Sequence, residues 1–146
     1  MKVENVRPVD SDARPALVLV AGSEVPAGFP SPSQDYTTSE INLNEHLLTS
    51  PSSMYLMRVR GQSMTGAGIY DGDEIIVDKG RRAEDGDVVI AYVDGEMTVK
   101  RLRRTPDGGV ILAPENPAYP NIIIPELSDL QIWGVVTTCL HHVPRG

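Results

Sequence analysis

A serine and a lysine stand in settings that suit nucleophilic chemistry. Ser63 follows Gly61-Gln62, after an apolar-rich stretch over residues 54–59 that predicts a strand. A step from strand to turn lifts a hydroxyl out of the sheet and leaves nearby backbone N–H groups free. Lys100 lies in a second stretch whose neighbours are mostly apolar. A serine beside a desolvated lysine is one of the known pairings of nucleophile and base, so these residues form a candidate dyad.

The lysine can act as a base only when its amine is neutral. An ordinary lysine has a pKa of about 10.4, so roughly one amine in 2,500 is neutral at pH 7. Burial can lower a lysine pKa by about 3–5 units, enough to make much of the amine competent near neutral pH. The chemistry therefore depends on whether the fold buries Lys100.

A predicted hairpin gives Lys100 its neighbours. Asp94-Gly95 separates two apolar stretches and is a strong signal for a two-residue turn between strands over residues 88–93 and 96–102. The resulting register sets Val89 opposite Lys100, and side-chain alternation places Thr98 on the same face. We therefore expect an apolar setting for Lys100, with the Thr98 hydroxyl near enough to orient it.

Other interpretations of these residues remain open. Lys100 could be a surface residue that serves solubility, since arginines follow it at positions 101, 103 and 104. A serine–histidine–aspartate triad would need a histidine near Ser63, but no candidate has supporting context; the histidines are His46, His141 and His142. Neighbouring residues on a strand point to opposite faces, so the adjacent pair chelates poorly, and we expect neither a metal site nor a cofactor.

Composition bounds the possible partners and the cell compartment. The chain has 146 residues and a formal net charge of -7, which disfavours direct sequence-specific DNA binding because phosphate contacts need Lys and Arg. Cys139 is the one cysteine, so nothing points to an oxidising compartment. No signal peptide and no membrane-length apolar run is present. These features predict a soluble, cytoplasmic protein.

The chain divides into an arm and a β-rich domain. Prolines at positions 8, 15, 26, 30 and 32 interrupt residues 1–40, where only residues 16–21 suggest a strand, so we expect an extended arm. Residues 42–49 suggest a short helix or turn. Residues 41–146 then form the β-rich domain. Besides the hairpin, short strands are predicted over residues 54–60, 74–78, 110–113, 121–124 and 130–143.

Four motifs in order resemble the LexA/UmuD family of self-cleaving serine peptidases, and its UmuD-type branch most closely. Gly61-Gln62-Ser63-Met64 is similar to the family's nucleophile motif. Residues 94–101 are similar to the hairpin that carries the family's lysine. Residues 27–32, Ala-Gly-Phe-Pro-Ser-Pro, resemble the cleavage segment, and residues 133–136 the closing strand. The resemblance implies a mainly β, LexA/signal-peptidase-like catalytic domain of short strands and hairpins behind an extended proline-rich N-terminal arm.

The resemblance also implies a mechanism. Ser63 would attack the Ala27 carbonyl, and Lys100 would act as base and then as proton donor to the Gly28 amine. The backbone N–H groups of Ser63 and Met64 would stabilise the oxyanion. Supporting roles would fall to Gly61 and Thr98.

Partners follow from the same resemblance. A RecA–single-stranded-DNA filament would stimulate cleavage at Ala27-Gly28 after DNA damage, and the shortened homodimer would join a UmuC-type subunit of a translesion polymerase. An Ala-Gly pair is more usual in the repressor branch. About 27 residues precede it here, too few for a helix-turn-helix domain.

Two other functions compete with this one. The chain could be an interaction module whose dyad is vestigial and whose uncleaved arm binds the partner. It could also be a peptidase that acts on other proteins, like the related signal peptidases, which need a membrane anchor that this sequence lacks.

Overall fold

A computed structural model describes residues 1–21, 38–124 and 130–146, and strands dominate those ranges. The mainly β fold predicted from the sequence is confirmed. The strands are β1 Lys2–Pro8, β2 Leu17–Ala21, β3 Thr38–Asn42, β4 Met54–Arg60, β5 Glu74–Asp78, β6 Val88–Val93, β7 Glu96–Arg104, β8 Val110–Ala113, β9 Ile122–Ile124 and β10 Gln131–Leu140. One α-helix, α1 Leu43–Leu47, lies in the described part, with short 3-10 turns at Pro51–Ser53 and Thr65–Ala67.

Eight strands form one sheet in the order β1-β4-β5-β10-β6-β7-β8-β9. Strand β1 pairs along β4 and also touches β7, where Lys2 lies opposite Thr98. This extra pairing joins two strands from distant parts of the sheet order. It also brings β4, which leads into Ser63, close to β7, which carries Lys100.

The β6–β7 hairpin has the predicted register. Val89 lies opposite Lys100 and Ala91 opposite Thr98. The turn residues Asp94 and Gly95 have φ of 50° and 80°, the left-handed pair that a two-residue turn matched to the twist of the strands requires.

Two clusters of buried side chains flank this hairpin. One contains Met57, Val59, Met64, Ile69, Ile75, Val77, Ile90 and Val99. The other contains Val89, Ala91, Leu102, Leu112 and Val135. Because alternate residues of β7 face opposite sides, Val99 joins the first cluster while Lys100 lies across from Val89 of the second.

Residues Asp10–Thr49 form a separate compact unit, and Met1–Val9 with Ser50–Gly146 form the other. In the smaller unit β2 pairs with β3. The Asn42 side chain begins α1 by accepting a hydrogen bond from Asn44 N, as Asn commonly does at a helix N-terminus.

The N-terminal strand corrects the sequence prediction. No strand was expected before residue 16, yet β1 spans Lys2–Pro8 and belongs to the larger unit rather than to an extended arm of residues 1–40. Proline was expected to break this segment, but Pro8 is the last residue of β1, a strand at one end of the sheet order, and edge strands tolerate proline. Strands β4, β5, β6 and β8 have the predicted bounds, and the predicted short helix is α1. Strand β3 was not predicted.

Two further features concern the described ranges only. None of the helices there has the length and apolar character that crossing a membrane requires. None of the His, Cys, Asp and Glu side chains there cluster in threes as metal ligands would.

Candidate active site

Ser63 lies at the step from β4 into a tight turn. Gly61 follows the strand with a φ of +107°, which side chains rarely adopt, and its N–H donates to Asp71 Oδ1 at 2.8 Å. The 3-10 turn Thr65–Ala67 comes directly after Met64. Ser63 is 1% exposed and Met64 is fully buried. The glycine therefore directs the chain inward, so that the serine hydroxyl faces the interior.

Lys100 reaches Ser63 from β7. Its Nζ lies 2.9 Å from Ser63 Oγ and 3.2 Å from the Val99 carbonyl oxygen, and the residue is 6% exposed. Burial lowers the pKa of Lys100 and outweighs the hydrogen bond to the neighbouring α-amino group, which raises it. A neutral amine at this distance can accept the Ser63 hydroxyl proton. The geometry thus suits a nucleophile and its base.

Met1 also contacts Ser63. Its α-amino nitrogen lies 2.9 Å from Ser63 Oγ and 3.4 Å from Thr98 Oγ1. Burial, together with the hydrogen bond and the charge of Lys100, lowers the pKa of this α-amino group to about 5. Two amines therefore share one hydroxyl. No sequence pattern predicted this contact, because it joins residues far apart along the chain.

Thr98 has partners other than the expected one. We expected its hydroxyl to orient Lys100, but Thr98 Oγ1 donates to the Met1 carbonyl oxygen at 3.1 Å. Val99 N donates to the same carbonyl at 3.1 Å. The expectation failed because alternation along a strand gives the face of a side chain but not the partner that its hydroxyl selects. Thr98 thus holds the start of β1 against β7.

The backbone N–H groups of Ser63 and Met64 were the expected oxyanion donors. Among the described residues neither N–H donates a hydrogen bond, whereas the Ser63 and Met64 carbonyls accept bonds from Glu115 N and Ala67 N. Free N–H groups beside a serine hydroxyl can stabilise a negative oxygen that develops there.

A loop after β8 contacts residues 61–67, the nucleophile turn that carries Ser63, and no sequence pattern predicted this contact. Glu115 N donates to the Ser63 carbonyl at 2.8 Å, and Gly66 N donates to the Glu115 carbonyl at 2.7 Å. The Asn116 side chain donates to the Gln62 carbonyl at 2.8 Å. Backbone contacts of this kind leave no periodic signal, although Asn between prolines does mark a turn.

The C-terminal histidines have acidic partners away from Ser63. His141 Nδ1 lies 2.5 Å from Asp73 Oδ1, and His142 Nε2 lies 3.3 Å from Glu74 Oε1. Cys139 Sγ donates to Asp73 Oδ2 at 3.3 Å, and burial, followed by the Asp73 carboxylate, raises the pKa of the thiol to about 12. These contacts hold the end of β10 to the start of β5.

The predicted cleavage pair, Ala27-Gly28, lies outside the described residues.

Comparisons with known proteins cover most of the chain. The family described as Peptidase S24-like matches residues 19–137. Protein SamA of Salmonella typhimurium is 47% identical over 116 residues, which make up 80% of this chain and 79% of that protein. Protein MucA of Escherichia coli is 42% identical over 121 residues, 82% of each chain. The LexA repressor of Bordetella parapertussis is 34% identical over 128 residues, 88% of this chain and 58% of that protein.

Proposed function

The chain belongs to the Peptidase S24-like family, and on that premise we propose that it cleaves itself at Ala27-Gly28 through a Ser63–Lys100 dyad. The observation that carries this proposal is the 2.9 Å contact between Lys100 Nζ and Ser63 Oγ in a buried site. Membership of a peptidase family supports the role of Ser63 as nucleophile. The burial of Lys100 supports its role as base.

The proposed reaction proceeds in two stages. Neutral Lys100 takes the Ser63 proton while Oγ bonds to the Ala27 carbonyl carbon, and the N–H groups of Ser63 and Met64 stabilise the oxyanion. The Ala27–Gly28 C–N bond then breaks, and protonated Lys100 gives its proton to the departing Gly28 amine. Water hydrolyses the Ala27–Ser63 ester and frees the serine.

The biological role that we propose is a switch for mutagenesis after DNA damage. A RecA–single-stranded-DNA filament would favour the cleavage-competent conformation, which is a population shift rather than an added catalytic group. The product that begins at Gly28 would act as a homodimer with a UmuC-type translesion polymerase subunit. Support for this role is the resemblance in the nucleophile and hairpin motifs, and the acidic chain, which suits action through a partner better than DNA contact.

One observation favours the alternative of an uncleaved interaction module. Ser63 is 1% exposed and the Met1 amine lies on its hydroxyl, so a carbonyl group has no room beside Oγ in this arrangement. Self-cleavage therefore requires Met1 to move, whereas a vestigial dyad does not.

Intact-mass analysis of the full chain tests the proposal. Samples held near pH 7 and near pH 10 would be compared with Ser63→Ala and Lys100→Ala, since alkaline pH deprotonates lysine without an activator. Matched controls are Ser52→Ala, at an exposed serine, and Lys79→Ala, whose amine lies over Trp133.

We expect fragments that end at Ala27 and start at Gly28 in the unaltered chain and the controls, and none in the dyad variants. A chain that stays whole at both pH values, and again with a RecA filament, would favour the interaction module.

A further inference from the structure

Glu115 is joined through its backbone to the turn that carries Ser63. Its N–H donates to the Ser63 carbonyl and its carbonyl accepts from Gly66 N, at 2.8 and 2.7 Å. A Cβ placed on Gly66 would lie 2.6 Å from the Glu115 carbonyl oxygen, which is closer than real contacts allow. The two backbones therefore approach so closely that only glycine fits at position 66.

The Glu115 side chain is joined to the strand that carries Lys100. Its carboxylate pairs with Arg101 Nε, and Arg103 Nη2 lies 4.0 Å away. Arg101 directly follows Lys100, and its Nη1 also donates to the Gly86 carbonyl at 2.7 Å. Because its guanidinium is held on two sides, Arg101 restrains the backbone of β7 next to the lysine.

Asn116 strengthens the same link. Its Nδ2 donates to the Gln62 carbonyl at 2.8 Å while its Oδ1 accepts from Ala118 N at 3.0 Å. Because both the Nδ2 and the Oδ1 of Asn116 form hydrogen bonds, the orientation of its side-chain amide is defined. The loop is thus hydrogen-bonded to the nucleophile turn on both sides of Ser63, at Gln62 and at Gly66.

We propose that Glu115 is a positioning residue, which sets the distance between Ser63 and Lys100 by joining the nucleophile turn to β7 through Arg101. The inference rests on the proposed self-cleavage. None of the described hydrogen bonds of Glu115 goes to Ser63 Oγ or Lys100 Nζ, so it acts through the Ser63 backbone and through Arg101. A misplacement of about 1 Å in a reacting pair can cost roughly 100-fold in rate.

A positioning role has a signature that general destabilisation lacks. Without the Glu115–Arg101 pair, β7 gains freedom next to Lys100 and water reaches its amine. Less desolvation moves the lysine pKa back toward its ordinary value. The nearby charged groups are the Glu115 carboxylate, Arg101 and Arg103, whereas the Met1 amine, with a pKa of about 5, is neutral at and above pH 7. A slower rate should therefore come with a pH–rate midpoint displaced to higher pH.

The test compares variants of the full chain by intact mass from about pH 7 to about pH 10.5. We expect Glu115→Ala and Arg101→Ala to cleave about 10- to 100-fold more slowly, with an alkaline midpoint. The double variant should be no slower than the slower single variant, because both remove one link. Glu115→Gln keeps an acceptor for Arg101 and should stay within a few-fold of the unaltered rate. Glu84→Ala, at an exposed glutamate, is the matched control.

A fluorophosphonate probe gives a second readout that needs no cleavage segment. Ser63 Oγ bonds to phosphorus, fluoride leaves and Lys100 takes the serine proton. Labelling of Glu115→Ala should slow in parallel with cleavage. An unaltered chain that labels but does not cleave would overturn the proposed function, and the labelling rates would still test the positioning role. A chain that does neither would overturn both.

The remaining outcomes also decide the inference. Glu115→Ala with an unaltered rate and midpoint, or with a slower rate and an unmoved midpoint, would overturn it. Should that variant fail to fold, as urea unfolding would reveal, Arg101→Lys replaces it, since a lysine cannot reach both Glu115 and the Gly86 carbonyl. Arg101→Lys should then show the slower rate and the alkaline midpoint, and unaltered behaviour would overturn the inference.

Discussion

Lys100 carries its amine into surroundings that disfavour the charged form. The amine touches Ser63 Oγ and the Val99 carbonyl, and among the described residues no carboxylate forms a salt bridge with it. An ammonium there would lose water without gaining a counter-charge, which is why its pKa is lowered. The same burial would favour the role of base that we propose for Lys100.

The pH dependence of cleavage follows from this direction. Because the neutral amine is the active form, the rate should rise with pH through the lowered pKa of Lys100 and then level off, with a midpoint below the pKa of about 10.4 of an ordinary lysine. Lys100→Arg should remove cleavage at every pH, because arginine stays protonated. A pH–rate profile from fragment masses measures both. A midpoint at or above the ordinary value would contradict the prediction.

The turn after β4 and the loop after β8 meet through backbone atoms. A side chain at Gly66 would collide with the Glu115 carbonyl, whereas a Cβ at Gly68 would meet open space. Gly68 instead has a φ of +80°. The two glycines are therefore needed for different reasons, one for close approach and one for backbone conformation.

Gly66→Ala should separate this turn from the loop. The added methyl must push the Glu115 carbonyl away, at a cost of about 1–3 kcal/mol in unfolding free energy, and cleavage should slow with it. Urea unfolding and fragment masses measure the two effects. Gly68→Asn is the matched control, since Asn tolerates the left-handed region and should change little. Equal losses in both variants would count against a specific role of the close approach.

Asp73, directly before β5, links the start of that strand to the end of β10. It is 3% exposed and accepts hydrogen bonds from Tyr70 N and Cys139 Sγ, besides its contact with His141. Burial alone would raise the pKa of Asp73, but these hydrogen bonds outweigh it and lower the pKa from 3.8. A depressed carboxyl stabilises the fold above the unfolded-state pKa, and this contribution is lost as the pH falls through the folded-state pKa.

Asp73→Asn should therefore destabilise the fold near neutral pH by about 1.5–3 kcal/mol, the usual contribution of a hydrogen bond to a charged group. Its stability should also depend less on pH below 3.8 than that of the unaltered chain. Urea midpoints measured from acid to neutral pH give both quantities. Asp94→Asn, in the exposed hairpin turn, is the control, and an identical pH dependence in both variants would contradict the assignment.

Local signals predicted the parts of the fold that local contacts determine. Asp94-Gly95 set the β6–β7 register, and the alternation along β7 put Lys100 opposite Val89. The sequence could not reveal β1, because its partners β4 and β7 lie far along the chain and its side chains are mostly exposed. Glu115 was missed for a related reason, since its link to Ser63 uses backbone atoms that every residue type possesses.

The larger unit depends on β1 to link two distant strands. Val3 lies opposite Val59, and Met1 and Val3 pack against the buried cluster that contains Met64. The strand that completes the sheet is thus also the segment that covers the Ser63 hydroxyl. Contacts of Met1 and Val3 that stabilise the fold therefore also restrict access to the Ser63 hydroxyl.

Val3→Pro should separate these two effects. Proline has no backbone N–H and disturbs the pairing of β1 with its neighbouring strands, so the unfolding free energy should fall, whereas cleavage at neutral pH should become faster because Met1 leaves Ser63 more often. Urea unfolding and fragment masses on the same samples measure the opposed changes. Val143→Pro, at an exposed residue outside the strands, is the control. A Val3→Pro chain that is less stable and also slower would show that β1 is needed for catalysis.

In the proposed self-cleavage, the Met1 amine that covers Ser63 would set the lifetime of the intact chain. When the hydroxyl is accessible only while Met1 is displaced, the observed rate equals the fraction of time that β1 is open multiplied by the intrinsic rate of the dyad. If that fraction is about one in a thousand, a partner that captures the open strand can accelerate cleavage by up to about a thousand-fold. The rate of amide hydrogen exchange in β1 and the rate of fragment formation would then rise together, and the opening of β1 would determine how long each molecule stays intact.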